Sequence, residues 1–66
     1  MVDGLEKLNE MDQKLFDLFR TNYRAANPES EIEFLSAKRE SGFLRVDMLK
    51  NGRKTYQEVF SSTTWG

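Results

Sequence analysis

The chain has 66 residues, of which 38% are hydrophobic and 32% charged, and its formal net charge is −1. This length holds one domain, so we expect residues 1–66 to form a single small domain with flexible termini at 1–3 and 61–66. Cysteine and histidine are both absent, which excludes disulfides, thiolate zinc sites and a histidine general base. No apolar run approaches the roughly 20 residues of a membrane helix, and the composition predicts a cytoplasmic protein without a cofactor, a metal ion or a membrane partner.

Charge is distributed unevenly along the chain. Residues 1–33 carry a net charge of −4 and residues 34–66 a net charge of +3. A small protein that separates charge in this way has a dipole, which steers charged partners or pairs with a copy of itself.

The first half of the chain predicts one amphipathic helix over residues 4–26. Asp3 followed by Glu6 is typical of a capping box at its start, and Asn27-Pro28 ends it, because a residue before proline is pushed out of the helical region. The apolar stripe at helical spacing consists of Leu5, Leu8, Met11, Leu15, Phe16, Leu18, Phe19, Tyr23 and Ala26.

Asp12 interrupts this stripe and has more than one interpretation. Asn9 could be the N-cap of a second helix start, with Asp12 as the third helical residue and residues 1–8 as a separate arm. Alternatively, Asp12 is a buried functional acid with a raised pKa. We favour a capping or exposed role, because no partner for the carboxylate is evident from the sequence.

After Pro28 the hydrophobic period changes from 3.6 to 2, which predicts three antiparallel strands. Gly42 suits the first turn, and Asn51-Gly52 is the preferred pair for a two-residue type I′ hairpin. The predicted strands are residues 31–39, 43–50 and 53–60. The fold class is therefore α+β, with one N-terminal helix packed on a three-stranded meander in the order α-β-β-β.

The second hairpin also predicts which side chains share a face. Pairing Lys50 with Arg53 places Leu44, Val46, Met48 and Val59 on one side of the sheet. A bulge at Gly42 would add Ile32 and Phe34 to that side, and would add Leu35 and Ala37 to the other. One helix covers one face of a sheet, and we expect it to cover the first side, although the pattern also permits the second. In either case an apolar face is left over.

This leftover face is the predicted protein-interaction surface. Aromatic residues supply most interface energy, and a charged pair could orient the partner. The candidate interface residues are Phe43, Arg45, Leu49, Tyr56, Glu58 and Phe60. The expected partner is a second copy in a homodimer, or another protein. In the competing interpretation, Trp65 and the N-terminal arm fold over this face and leave a monomer.

Nucleic-acid binding is the second hypothesis, because basic residues near sheet aromatics are typical of phosphate contact combined with base stacking. Its candidate residues are Lys38, Arg39, Lys50, Arg53 and Lys54. The acidic overall charge counts against it. Catalysis is not expected, because the chain offers only the serine-lysine pair Ser36 and Lys38 and the alternating glutamates of residues 29–33, which are typical of a solvated strand.

Overall fold

The computed structural model describes residues 2–66. Its helix and strands are α1 (Glu10–Ala26), β1 (Ile32–Glu40), β2 (Phe43–Lys50), β3 (Arg53–Ser61) and β4 (Thr64–Trp65), with a 3₁₀ turn at Leu5–Lys7 before α1. The four strands form one antiparallel sheet in the order β1-β2-β3-β4. The predicted α+β architecture is confirmed, with the short β4 as an addition. No helix in the described residues is long and apolar enough to cross a membrane.

The long helix begins at Glu10, so the predicted start at residue 4 is wrong. Gly4 precedes the 3₁₀ turn with φ 86° and no side-chain cap. The N-cap of α1 is Asn9, whose Oδ1 accepts a hydrogen bond from the backbone N–H of Asp12 at 2.8 Å. This bond satisfies one of the free N–H groups at the helix start. The interpretation with a second helix start is confirmed, and α1 ends at Ala26 before Asn27-Pro28, as predicted.

The segment before α1 runs along the outer edge of β1. Asp3 donates its N–H to the Leu35 carbonyl at 2.9 Å and accepts the Ala37 N–H at 3.0 Å. Val2 and Leu5 pack against the core. Part of the predicted N-terminal tail, at Asp3, therefore has backbone partners, while Met1 lies outside the described residues.

Both hairpins close with two-residue turns. Asn51 and Gly52 have φ values of 53° and 81°, as a type I′ turn requires, and they pair Lys50 with Arg53 as predicted. The first turn, at Ser41-Gly42, pairs Glu40 with Phe43 without a bulge.

The bulge lies instead at Leu35, because Phe34 pairs with Met48 and Ser36 pairs with Asp47. An extra residue in a strand reverses the facing of every residue after it. Ala37 was predicted on the uncovered side, yet it is only 3% exposed and belongs to the core. Arg39 turns to the helix side in the same way, opposite Leu44.

The helix covers the side of the sheet that the hairpin register predicts. Leu44, Val46, Met48 and Val59 are fully buried there, beneath the α1 side chains Phe16, Phe19 and Tyr23. Burying each such side chain stabilises the fold by about 1.5–3 kcal/mol. Met11 and Leu18 were predicted within the buried stripe, but both are exposed.

The last strand completes this core. Val59 pairs with Trp65, and the Trp65 ring lies edge-on to Phe19 and Tyr23 at centroid distances of 5.3 and 5.7 Å. Asn22 of α1 donates to the Ser62 carbonyl at 2.8 Å. The segment predicted as a flexible C terminus is therefore partly strand, because its tryptophan closes one end of the hydrophobic core.

Candidate protein-interaction surface

The side of the sheet away from α1 carries the predicted interaction surface, and we call it the open face. Strand alternation and the observed register place on it Glu33, Ser36, Lys38, Glu40, Phe43, Arg45, Asp47, Leu49, Lys54, Tyr56, Glu58 and Phe60. All six predicted interface residues are in this set.

Within residues 2–66, neither the N-terminal segment nor the tryptophan covers the open face. Trp65 packs on the helix side against Phe19 and Tyr23, and Asp3 pairs with the edge of β1. The interpretation in which these two segments fold over the sheet is therefore wrong. Tyr56 is 47% exposed and Phe60 is 53% exposed.

An aromatic pair lies at one end of the open face. The rings of Phe43 and Phe60 are 6.1 Å apart between centroids and are tilted by 59°. Phe43 is half-buried by this contact, while Phe60 stays exposed. Aromatic pairs at this distance add about 0.5–1.5 kcal/mol beyond area burial, so the two rings hold each other in place.

Arg45 organises the centre of the open face. Its guanidinium lies over the Tyr56 ring at 4.3 Å from the centroid, and its Nε donates to Asp47 Oδ1 at 3.2 Å. The other oxygen of Asp47 accepts from Ser36 Oγ at 3.0 Å. Contacts therefore connect three strands across the face.

The sequence interpretation missed Asp47 and Ser36 as parts of this network. Asp47 lies two residues from Arg45, so alternation places both on one face, and that signal was available. Glu58 stands opposite Arg45 in the register, as predicted. Leu49 is half-buried between Glu33 and Lys54.

The basic residues of the nucleic-acid hypothesis lie on both sides of the sheet. Lys38 and Lys54 are on the open face but near opposite hairpins, and Lys38 Nζ lies 3.7 Å from Glu40 Oε1. Arg39, Lys50 and Arg53 face the helix side. The five cations do not form one patch.

Besides Lys38, two of these cations have partners within the fold. Lys50 donates to Asn27 Oδ1 at 3.0 Å and lies 5.4 Å from the centroid of the Tyr23 ring. Arg39 contacts Asp12 through two hydrogen bonds, from Nη2 to Oδ1 at 2.6 Å and from Nε to Oδ2 at 3.1 Å. These bonds fix both side chains against the helix.

The Asp12–Arg39 pair corrects the hypothesis of a functional acid. Asp12 is only 6% exposed, but hydrogen bonds from Arg39 lower its pKa below the ordinary value, against the opposing effect of burial. A raised pKa was the basis of the functional interpretation, which is wrong on this point. A carboxylate that stays ionised beside a guanidinium is a structural tie from α1 to β1.

Within residues 2–66 no group of three or more acidic side chains is placed to hold a metal ion. The candidate site consists of the aromatic rings and paired charges of the open face. Comparisons of the chain with protein-family models, curated proteins and solved structures gave no significant match.

Proposed function

We propose that this chain is a small, non-enzymatic protein-interaction module that associates with a second copy of itself through its sheet. One observation carries the proposal. Tyr56 and Phe60 are about half exposed on the open face, and no described element covers them, although α1 packs against the other side of the sheet. Exposed aromatic clusters on a small protein are typical of interaction surfaces.

Contacts within the open face already order its side chains, so that little side-chain conformational entropy is lost on binding. Arg45 already rests on Tyr56 and is held by Asp47, and Phe43 already packs against Phe60. Side chains that are ordered before binding lose less conformational freedom when a partner arrives.

The charges on the open face favour a copy as that partner. Acidic and basic side chains are neighbours there, with Glu58 opposite Arg45 and Glu40 Oε1 3.7 Å from Lys38 Nζ. In a two-fold dimer the same surface meets itself, so a face that carries both signs can place unlike charges together. Association also adds buried area to a domain of 66 residues, for which a single small core gives little stability.

The proposal assigns the module to the cytoplasm, as the sequence composition favours. Cell fractionation with an antibody against the chain tests this assignment, and recovery in a membrane or secreted fraction would contradict it.

The self-association is tested by sedimentation equilibrium over a concentration series. We expect the wild-type chain, 7.7 kDa as a monomer, to approach twice that mass as its concentration rises. Phe60→Asp places a charge in the aromatic pair and should hold the chain at the monomer mass if the copies meet through the open face. Met11→Asp is the matched control, because Met11 is 81% exposed on α1 and an acid is favourable in the first helical turn. A wild-type chain that stays monomeric at its highest soluble concentration contradicts the proposal.

A further inference from the structure

The outer edge of β3 has unpaired backbone groups at known positions. Glu58 donates to the Gly66 carbonyl and accepts the Gly66 N–H, both at 3.0 Å, so the backbone groups of Glu58 point away from β2. The direction of these groups alternates along a strand. Tyr56 and Lys54 therefore also direct their N–H and C=O groups outward.

No strand in the described part of the chain pairs with this stretch of β3. Strand β4 pairs only with its far end, through Val59 and Ser61. At the opposite edge of the sheet, β1 is partly covered by Asp3 and by Arg24, whose Nη2 donates to the Ile32 carbonyl at 3.2 Å. Residues 53–57 are thus an open strand edge, which is a template for another strand.

We propose that β3 pairs in antiparallel fashion with β3 of a second copy, with Thr55 at the two-fold axis. This inference rests on the proposed function and names the segment through which the copies associate, which is the edge of the sheet and not the open face around Phe60. Lys54 of each copy then lies opposite Tyr56 of the other, and two four-stranded sheets become one continuous sheet. The two open faces also become one surface.

The positions of the outward backbone N–H and C=O groups on β3 favour this register over the registers shifted by two residues in either direction. Moving the pairing two residues toward the C terminus requires Glu58, whose backbone groups are occupied by Gly66. Moving it two residues the other way places Lys54 opposite Lys54, and like charges directly opposite each other destabilise a sheet. Only the pairing of Lys54 with Tyr56 uses unpaired groups on both copies without placing the two lysines directly opposite each other.

The side chains are complementary in the same register. Lys54 contacts the Tyr56 ring of the second copy on the open face, and Glu58 lies on the diagonal, within reach of a long side chain. On the helix side, Thr55 meets Thr55 of the second copy, which is a favourable cross-strand pair. A lysine on an open strand edge opposes unspecific aggregation through that edge. In this chain Lys54 also favours one register of pairing over the others.

Removing a single backbone donor tests the pairing. The Lys54 N–H has no partner within the sheet, so Lys54→Pro leaves the β2–β3 ladder intact and removes an intermolecular donor in each copy. We expect the dissociation constant of its dimer to rise about tenfold or more, so that this variant is already monomeric at protein concentrations where the wild type is a dimer. Lys54→Thr keeps the N–H and is the matched control. Far-UV circular dichroism should be the same for both variants.

Amide hydrogen exchange gives a second readout on the wild-type chain. The amides of Lys54 and Tyr56 should become protected as protein concentration rises, since they form hydrogen bonds only in the dimer. Fast exchange of both amides at concentrations where the chain is dimeric would overturn the inference.

The outcomes separate this inference from the proposed function. If Lys54→Pro dimerises as the wild type does while Phe60→Asp is monomeric, the copies meet through the face and the edge pairing is wrong, but the proposed function stands. If the wild-type chain is monomeric throughout, both fail. Growth beyond a dimer would also overturn the edge pairing, since a two-fold pair of β3 strands closes on itself.

Discussion

Arg39 and Asp12 join the C-terminal end of β1 to the first turn of α1 through two hydrogen bonds, of 2.6 and 3.1 Å. The carboxylate is almost completely buried, whereas the arginine side chain is 45% exposed. Losing one partner therefore has a different consequence from losing the other. Arginine without aspartate can turn to water, but aspartate without arginine remains buried.

We expect Arg39→Met to lower the free energy of unfolding by about 2 kcal/mol and Asp12→Asn to lower it by about 1 kcal/mol. Both values allow for the partial solvent exposure of Arg39. Urea unfolding at neutral pH measures them. Equal losses in the two variants would contradict the asymmetry.

The same pair predicts how stability changes with pH. The pKa of Asp12 is lowered in the folded state from its ordinary value of 3.8, so the ionised carboxylate stabilises the fold. This contribution is complete above pH 3.8 and is lost as the pH falls below it through the folded-state pKa. The difference in unfolding free energy between wild type and Asp12→Asn should therefore shrink in strong acid. A difference that stays constant down to the acid limit is the contrary result.

A side chain at Gly4 should destabilise the contact between the N-terminal segment and β1. Its φ is 86°, and an added Cβ would lie 2.5 Å from the Ala37 carbonyl oxygen. We expect Gly4→Ala to destabilise the chain by about 2 kcal/mol and to speed hydrogen exchange at the Ala37 amide, because Asp3 is drawn away from β1.

The matched control for this effect is Gly42→Ala. Gly42 has a similar φ of 89° with nothing within 4 Å of the added Cβ, so this variant measures the cost of the backbone conformation alone. If both alanine variants lose the same stability, the contact between Gly4 and Ala37 has no separate effect.

Trp65 and Phe60 should differ in what they stabilise. Trp65 packs against two core rings, so Trp65→Ala should lower the free energy of unfolding by about 3 kcal/mol. Phe60 lies on the open face, and Phe60→Ala should lower the free energy of unfolding of the monomer by less than about 1 kcal/mol. Urea unfolding at low protein concentration distinguishes them, and a larger effect for Phe60 would contradict the assignment of core and surface.

The division of cations between the two sides of the sheet predicts that the chain does not retain nucleic acid. We expect no retention of a mixed DNA and RNA pool at low salt, since Arg39 and Lys50 are bonded within the fold. Electrophoretic mobility shift measures this. Retention that falls steeply with salt, and that is lost when Arg53 and Lys54 are changed to serine, would restore the second hypothesis.

The features that local sequence determines were predictable. Asn51-Gly52 specifies its turn from two residues, and the turn fixes the β2–β3 register. That register alone brings Arg45, Tyr56 and Phe60 to one face. The candidate surface therefore follows from a short-range signal.

The features that were not predictable depend on distant contacts. Leu35 carries no sequence mark of a bulge, and its carbonyl is bonded by Asp3, which lies far away in the chain. The bulge turns Arg39 toward α1, where it meets Asp12. A reader of the sequence who does not know of the bulge finds no partner for Asp12. Asp3 and Asn9 then both remain candidates for the N-cap of the helix.

The position of Trp65 has a practical consequence for experiments. It is the single tryptophan of the chain, and it lies against Phe19 and Tyr23 on the helix side, across the sheet from Phe60. Its fluorescence emission therefore reports whether the core is intact and is insensitive to contacts made on the open face. One intrinsic chromophore can thus follow folding while the mass of the particle follows association, and the two processes can be separated without a label.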